Sequence, residues 1–180
     1  MLTGMQIAVL GGDARQLEVI RKLTELDAKV YLTGFEQLAH AYTGAVKEGL
    51  EDLPVGELDA IILPVAGTNM EGKIETIFSN KQVVLTESFL NNTPEHCTIY
   101  SGISNDYLTE VTAKTNRKLI QLFERNDVAI YNSIPTVEGA IMMAIQHTDF
   151  TIHGSNVIVL GLGRTGMSVA RSFHALGGKV

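Results

Sequence analysis

Apolar residues in this chain arrive in short unbroken runs rather than in strict alternation. Ile7-Ala8-Val9-Leu10, following Gln6, is the first; Lys29 to Leu32, Ala60 to Val65, Gln82 to Leu85, Thr98 to Tyr100 and Val128 to Tyr131 follow. A run of this length, stopped by glycine or polar residues, is what a parallel strand covered on both faces needs. Between the runs the period changes. After Gly11-Gly12, the residues Val19, Ile20, Leu23 and Leu26 fall at helical spacing, and Asp13 is placed to cap that helix. Phe35 to Ala41 reads as a short helix, whereas Lys118 to Phe123 carries no decisive pattern. The alternation predicts an α/β fold built on a parallel sheet.

A long helix is expected to open at Pro135, since Val137, Ala140, Ile141, Ala144 and Ile145 repeat at i, i+3, i+4, i+7 and i+8. It leads into Gly154-Ser155 and a new strand, Asn156 to Leu160. The expected organisation is an N-terminal α/β domain over 1–131, an interdomain helix and linker over 132–152, and the first βα unit of a second domain over 153–180.

That last segment holds the most informative spacing in the chain, Gly161-Leu162-Gly163-Arg164-Thr165-Gly166. A GxGxxG hexamer alone is weak, but here it follows an apolar strand, Val157 to Leu160, and opens a helical pattern ending at Gly177-Gly178. In a dinucleotide-binding turn the first glycine takes the tight backbone angles, the second lets the main chain approach a pyrophosphate, and the third allows close helix packing. The helix N-terminus favours an anion, and Arg164 is placed to add charge. The bland alternative is an ordinary strand-turn-helix. The chain stops at Lys179-Val180, where a second strand should begin, so a longer protein is expected; the acidic or basic residue that separates NAD from NADP lies about 20 residues beyond the glycines. Gly11-Gly12-Asp13 lacks this spacing and reads as a tight βα turn.

Composition narrows the function classes. Hydrophobic residues are 45% and charged residues 19% of the 180, so the chain should fold. A net charge of -6 without a cationic run argues against nucleic acid. Cys97 is the single cysteine, which leaves no disulfide framework, and the five histidines show no ligand spacing, so no metal is expected. Neither a signal peptide nor a membrane span is read at the N-terminus, and a cytoplasmic protein is expected.

Three stretches together carry a resemblance: Ile7 to Arg15, Asn132-Ser133-Ile134-Pro135-Thr136-Val137-Glu138-Gly139-Ala140, and Val157 to Gly166. They resemble the family of dipicolinate synthase A subunits over the whole chain, and more distantly 2-hydroxyacid dehydrogenases and S-adenosylhomocysteine hydrolase. The resemblance implies a flavodoxin-like substrate domain joined by a long helix to the start of a Rossmann NAD(P)-binding domain. It implies NADP-linked (or NAD-linked) formation of pyridine-2,6-dicarboxylate from the dihydrodipicolinate branch of lysine biosynthesis. It further implies a companion, the B subunit of dipicolinate synthase, and a setting in the mother cell of a sporulating bacterium. A homo-oligomer is expected.

For a dicarboxylate, the loops beyond the carboxyl ends of the strands are the candidate contacts. They offer Gly12, main-chain amides at Gly67 and Thr68, and hydroxyls at Ser101, Ser133 and Thr136. Ser133 and Thr136 read equally well as helix caps. Glu138 is the first candidate for proton acceptor and Asp13 the second; the plainer roles are a helix-dipole partner and an N-cap. Gly161, Leu162, Gly163, Arg164, Thr165 and Gly166 are the candidate cofactor contacts. Two other readings stay open: a non-catalytic dinucleotide sensor, and an enzyme of the S-adenosylhomocysteine hydrolase or 2-hydroxyacid dehydrogenase kind.

Overall fold

A computed structural model describes residues 1–40 and 42–180. The chain divides into two compact units, Met1–Leu122 and Phe123–Val180.

In the first unit most of the apolar runs become strands. They are β1 (Gln6–Leu10), β2 (Lys29–Thr33), β3 (Ala45–Lys47), β4 (Ala60–Ile62), β5 (Lys73–Ile74), β6 (Val83–Val84), β7 (Thr98–Ser101) and β8 (Lys118–Gln121). Three helices connect them: α1 (Ala14–Glu25), α2 (Glu87–Asn91) and α3 (Asp106–Lys114). Six strands form one sheet in the order β3-β2-β1-β4-β7-β8, and every pairing in it is parallel. With the three-residue edge strand β3 set aside, this is the flavodoxin-like order, and the direction of winding reverses between β1 and β4. Successive strand residues point to opposite faces, so one apolar set, with Ala8, Leu10, Ile61, Ile99 and Leu108, packs on one side of the sheet. The other, with Ile7, Val9, Ile20, Val30 and Phe35, packs on the opposite side.

Three segments depart from the sequence expectation. Gln82 to Leu85 contributes β6 to an antiparallel pair with β5, outside the main sheet. Lys118 to Phe123 supplies the edge strand β8, whose residues pair with β7 in register. Phe35 to His40 forms a turn and extended chain instead of a helix, because Phe35 is drawn inward to stack on Phe78 at 5.6 Å; Ala41 lies outside the described residues.

The second unit holds α4 (Asn126–His147) and α5 (Arg164–Ala175). Val128 to Tyr131, expected as a strand, forms the opening turns of α4. A short apolar run cannot by itself distinguish strand from helix, and among the described residues no strand pairs with it. Pro135 therefore sits inside α4 rather than at its start. Its missing N–H leaves the Tyr131 carbonyl without an intrahelical donor, on a residue 74% exposed to solvent. Ser133 and Val137, four apart, are the residues of α4 that are buried. By length and composition alone α4 is apolar enough to cross a membrane, with a mean hydropathy of 1.3.

Asn156 to Leu160, expected as a strand, forms only a bridge at Asn156, parallel to Lys179. The Val157 amide donates to the Lys179 carbonyl at 2.8 Å and the Lys179 amide to Ser155 at 2.8 Å. The polypeptide after α5 thus returns alongside the segment before it, as a parallel βα unit demands. Ile158 and Leu160 lie exposed on this segment.

Candidate functional site

At the point where the sheet reverses its winding, the loops after β1 and β4 part and leave a crevice, the place where open α/β sheets bind ligands. The loop after β1 is Gly11-Gly12-Asp13. Gly11 and Gly12 both have positive φ, 60° and 113°. A side chain at Gly11 would lie 2.7 Å from the Glu75 carbonyl oxygen, and one at Gly12 would overlap Gln16. Glycine at these positions lets residues 74–77 run against the loop: the Gly12 amide donates to the Glu75 carbonyl at 2.8 Å and the Ile77 amide to Gly12 at 3.1 Å.

Asp13 caps α1 by accepting from the Arg15 amide at 2.9 Å. The Arg15 guanidinium chelates the same carboxylate, at 2.6 Å from Nη2 and 3.0 Å from Nε. Hydrogen bonds from the Arg15 side chain, and then from its amide, hold the Asp13 carboxyl below the ordinary aspartate range.

The loop after β4, Leu63 to Asn69, is held from below. Ser101 is fully buried, and its hydroxyl donates to the Ile103 carbonyl at 2.6 Å and to Pro64 at 3.4 Å. Gly67 (φ 69°) lies directly over it, and a side chain there would come within 2.9 Å of the Ser101 oxygen. Asn105, which caps α3 through its Oδ1, donates from Nδ2 to the Thr68 carbonyl at 2.6 Å. Ser101 thus supports the loop rather than facing the crevice. Thr68 is 7% exposed, and its hydroxyl has no hydrogen-bond partner among the described residues.

Two adjoining hollows result, sharing Ala66 and Glu75 as walls. The larger, about 360 Å³, is bounded by Ala66, Gly67, Thr68, Asn69, Lys73, Ile74, Glu75 and Gln82. The smaller, about 120 Å³, is bounded by Gly12, Asp13, Arg15, Pro64, Ala66, Glu75 and Ile77. The sequence reading found Gly12, Asp13, Gly67 and Thr68 but missed Lys73, Glu75 and Gln82. Lys73 and Glu75 follow a turn rather than a strand of the main sheet, Gln82 lies just before β6, and no spacing marks any of them. The turn is built by Asn69, whose Oδ1 accepts from the Glu71 and Lys73 amides, each at 2.9 Å.

The second unit carries the glycine turn. Gly161 has φ 91°. A side chain at Gly166 would overlap the Gly161 carbonyl oxygen, whereas around Gly163 there is open space within 4 Å. The three glycines therefore do different work: one turns the chain, one leaves the main chain approachable, and one lets α5 close on the turn. Gly163 is the N-cap of α5 and provides no side-chain cap for the first-turn amides, so those amides suit an anion. Arg164 donates from Nη1 to the Phe123 carbonyl at 2.8 Å, which ties α5 to the chain entering α4. Leu162 is exposed and, with Val157, Ile158, Val159 and Met167, borders an apolar cleft of about 560 Å³. This geometry fits a dinucleotide pyrophosphate.

The remaining predicted residues lie on α4. Ser133 donates to the Ile130 carbonyl at 2.6 Å, and its oxygen lies within hydrogen-bond distance, 2.9 Å, of the Ser168 hydroxyl, which fastens α4 to α5. Thr136 and Glu138 are exposed in mid-helix. The helix-terminal position expected for Ser133 and Thr136 is corrected by the start of α4 at Asn126, nine residues before Pro135.

Comparison with known proteins gives the family and the fold. The family model for the N-terminal domain of the dipicolinate synthase A subunit matches residues 6–123. The chain belongs to the dipicolinate synthase A-subunit family. The dipicolinate synthase A subunit of Bacillus subtilis (strain 168) is 63% identical over all 180 residues, which span 61% of that protein's length. The crystal structure of the B. subtilis protein superposes with a TM-score of 0.94 at 63% identity, over 99% of this chain and 60% of that one. That of the corresponding subunit from Bacillus halodurans gives 0.91 at 61% identity, over 99% and 61%. A transhydrogenase from Sinorhizobium meliloti, 12% identical with a TM-score of 0.53, covers 96% of this chain and 57% of its own; it shares the fold alone. The chain thus spans about three fifths of the length of these family members.

Proposed function

We infer that this chain is the substrate domain and the opening of the dinucleotide-binding domain of a dipicolinate synthase A subunit. In this reading it is a dehydrogenase that forms pyridine-2,6-dicarboxylate from the dihydrodipicolinate branch of lysine biosynthesis. The observation that carries the reading is the division of roles among Gly161, Gly163 and Gly166 at an uncapped helix start, within a chain 63% identical to a dipicolinate synthase subunit.

Gly161, Leu162, Gly163, Thr165 and Gly166 would hold the pyrophosphate of NADP, or of NAD, through main-chain amides, with Arg164 adding positive charge beside it. When bound, that coenzyme supplies the hydride acceptor. The crevice beyond β1 and β4 would hold the small dicarboxylate, with the Gly12, Gly67 and Thr68 main chain on its walls. Of the two carboxylates considered for proton transfer, Asp13 is held ionised by Arg15 and is the weaker acceptor. Glu138, exposed on α4, is left as the first candidate because Asp13 is engaged by Arg15.

A cytoplasmic setting in the mother cell, a homo-oligomer and the B subunit of dipicolinate synthase complete the proposal. That the relatives are themselves named as one lettered subunit of a synthase supports a partner. The experiment is a spectrophotometric assay of the full-length protein, with and without that companion. Reduction of NADP that depends on dihydrodipicolinate is expected. Binding of the coenzyme with no turnover on any dicarboxylate would mark a sensor instead.

A further inference from the structure

Arg164 is the first residue of α5 and stands within the glycine turn, directly after Gly163. Its side chain reaches away from that turn. Nη1 donates to the Phe123 carbonyl at 2.8 Å and lies 3.5 Å from Asn126 Oδ1. Phe123 is the residue at which the second unit begins, and Asn126 is the first residue of α4. Because β8 ends at Gln121, residues 122–125 are the whole connection between the main sheet and α4. Any reorientation of one unit against the other has to pass through them.

Neither α4 nor α5 has a side-chain cap at its start. Arg164 bridges these two helix starts, where the partial charge of the backbone is positive and a cation is unfavourable. A guanidinium in that place gains from an anion beside it. Its plane carries five N–H donors in a rigid fork; those on Nη1 are engaged, whereas Nε and Nη2 have no partner among the described residues. Arg125 and Asp127, on either side of Asn126, chelate each other and leave the Arg164 fork alone. Arg164 is exposed, and a long exposed side chain loses rotamer freedom when it holds one partner. A second partner on the same rigid group then costs little further ordering, so the two partners of one guanidinium strengthen each other.

We propose that Arg164 couples the glycine turn to the connection between the two units. An anion held at the turn fixes the guanidinium, and the fixed guanidinium holds the Phe123 carbonyl and with it residues 122–125. The inference rests on the glycine turn as the pyrophosphate seat and goes beyond it: besides adding charge there, Arg164 is a positioning residue for the connection. The coupling is reciprocal, so a connection held in place also favours the bound coenzyme.

The test is hydrogen exchange resolved by segment on the full-length protein, free and saturated with reduced NADP. In the wild type, coenzyme should slow exchange at 122–127 by about fivefold or more, the low end of ordinary coupling between sites. Arg164→Lys keeps the charge but replaces the fork by a single ammonium. Saturated with coenzyme, it should show less than twofold slowing at 122–127 while 163–167 remain protected. A purely structural clip would behave differently, with exchange at 122–127 faster in the variant and indifferent to coenzyme in both proteins. Should the variant fail to fold, the wild-type comparison still decides. Coenzyme that protects 163–167 without slowing 122–127 would overturn this proposal and leave the coenzyme reading standing. Equal slowing at 122–127 in Arg164→Lys and wild type would overturn it as well. Reduced NADP that protects neither segment would overturn both readings.

Discussion

Asp13 shows how one side chain can serve local structure at the edge of a site. Its carboxylate terminates the amides of α1 and binds Arg15 at once. Asp13→Ala should destabilise the protein by about 0.5–2 kcal/mol at neutral pH through loss of the cap. Asp13→Asn keeps a capping oxygen and removes the charge, so it isolates the ionic part. Because Arg15 depresses the folded-state pKa of Asp13, the ionic part is present above the ordinary aspartate value and is lost as the pH falls through the depressed one. The stability difference between wild type and Asp13→Asn should therefore be steady at neutral pH, begin to shrink below about pH 4, and vanish only below the depressed folded-state value, as followed by urea unfolding at a series of pH values. A difference that grows in acid would contradict the assignment. Among the other candidates, Gly67 and Thr68 lie on the crevice wall, while Ser101 supports that wall from beneath. Sequence alone could not separate them, because all three lie at or beyond strand ends and which way each faces is set by packing.

At the scale of elements, strands and helices were legible where glycine or a capping residue stopped an apolar run. β1, β2, β7 and α1 match their expected positions within about two residues. The signals failed where tertiary contacts outvoted local pattern. Val128 to Tyr131 has β-forming composition, yet it continues the helix that presents Ser133 and Val137 to α5. Pro135 looked like a helix start because proline favours that position, but the chain tolerates it in mid-helix where its free carbonyl partner at Tyr131 meets solvent. An interior proline is about 3 kcal/mol less favourable than alanine. Pro135→Ala should therefore raise the stability of Phe123–Val180, by up to that amount, with little effect on Met1–Leu122. Hydrogen exchange resolved by segment would show slower exchange in α4 alone. Unchanged or faster exchange there would mean that Pro135 is required for the packing of α4 on α5.

At the scale of the whole molecule, two units carry two kinds of chemistry. The first offers a polar crevice at the reversal of a parallel sheet, lined by Lys73, Glu75 and the loops after β1 and β4. The second offers a glycine turn at an uncapped helix start, proposed above to hold a diphosphate. The glycine turn was fully legible, since its spacing fixes its geometry; the charged wall of the crevice was not, since it depends on a hairpin whose place in space only the fold reveals. The account rests most heavily on the glycine turn, and the decisive measurement is a fluorescence titration of reduced NADP against the full-length protein and its Gly163→Val variant. Open space surrounds Gly163, so the variant should fold, losing at most about 1 kcal/mol of stability at the N-cap, while losing coenzyme affinity by at least a hundredfold, about 2.7 kcal/mol or more. A Gly163→Val protein that binds reduced NADP as tightly as the wild type would contradict the account.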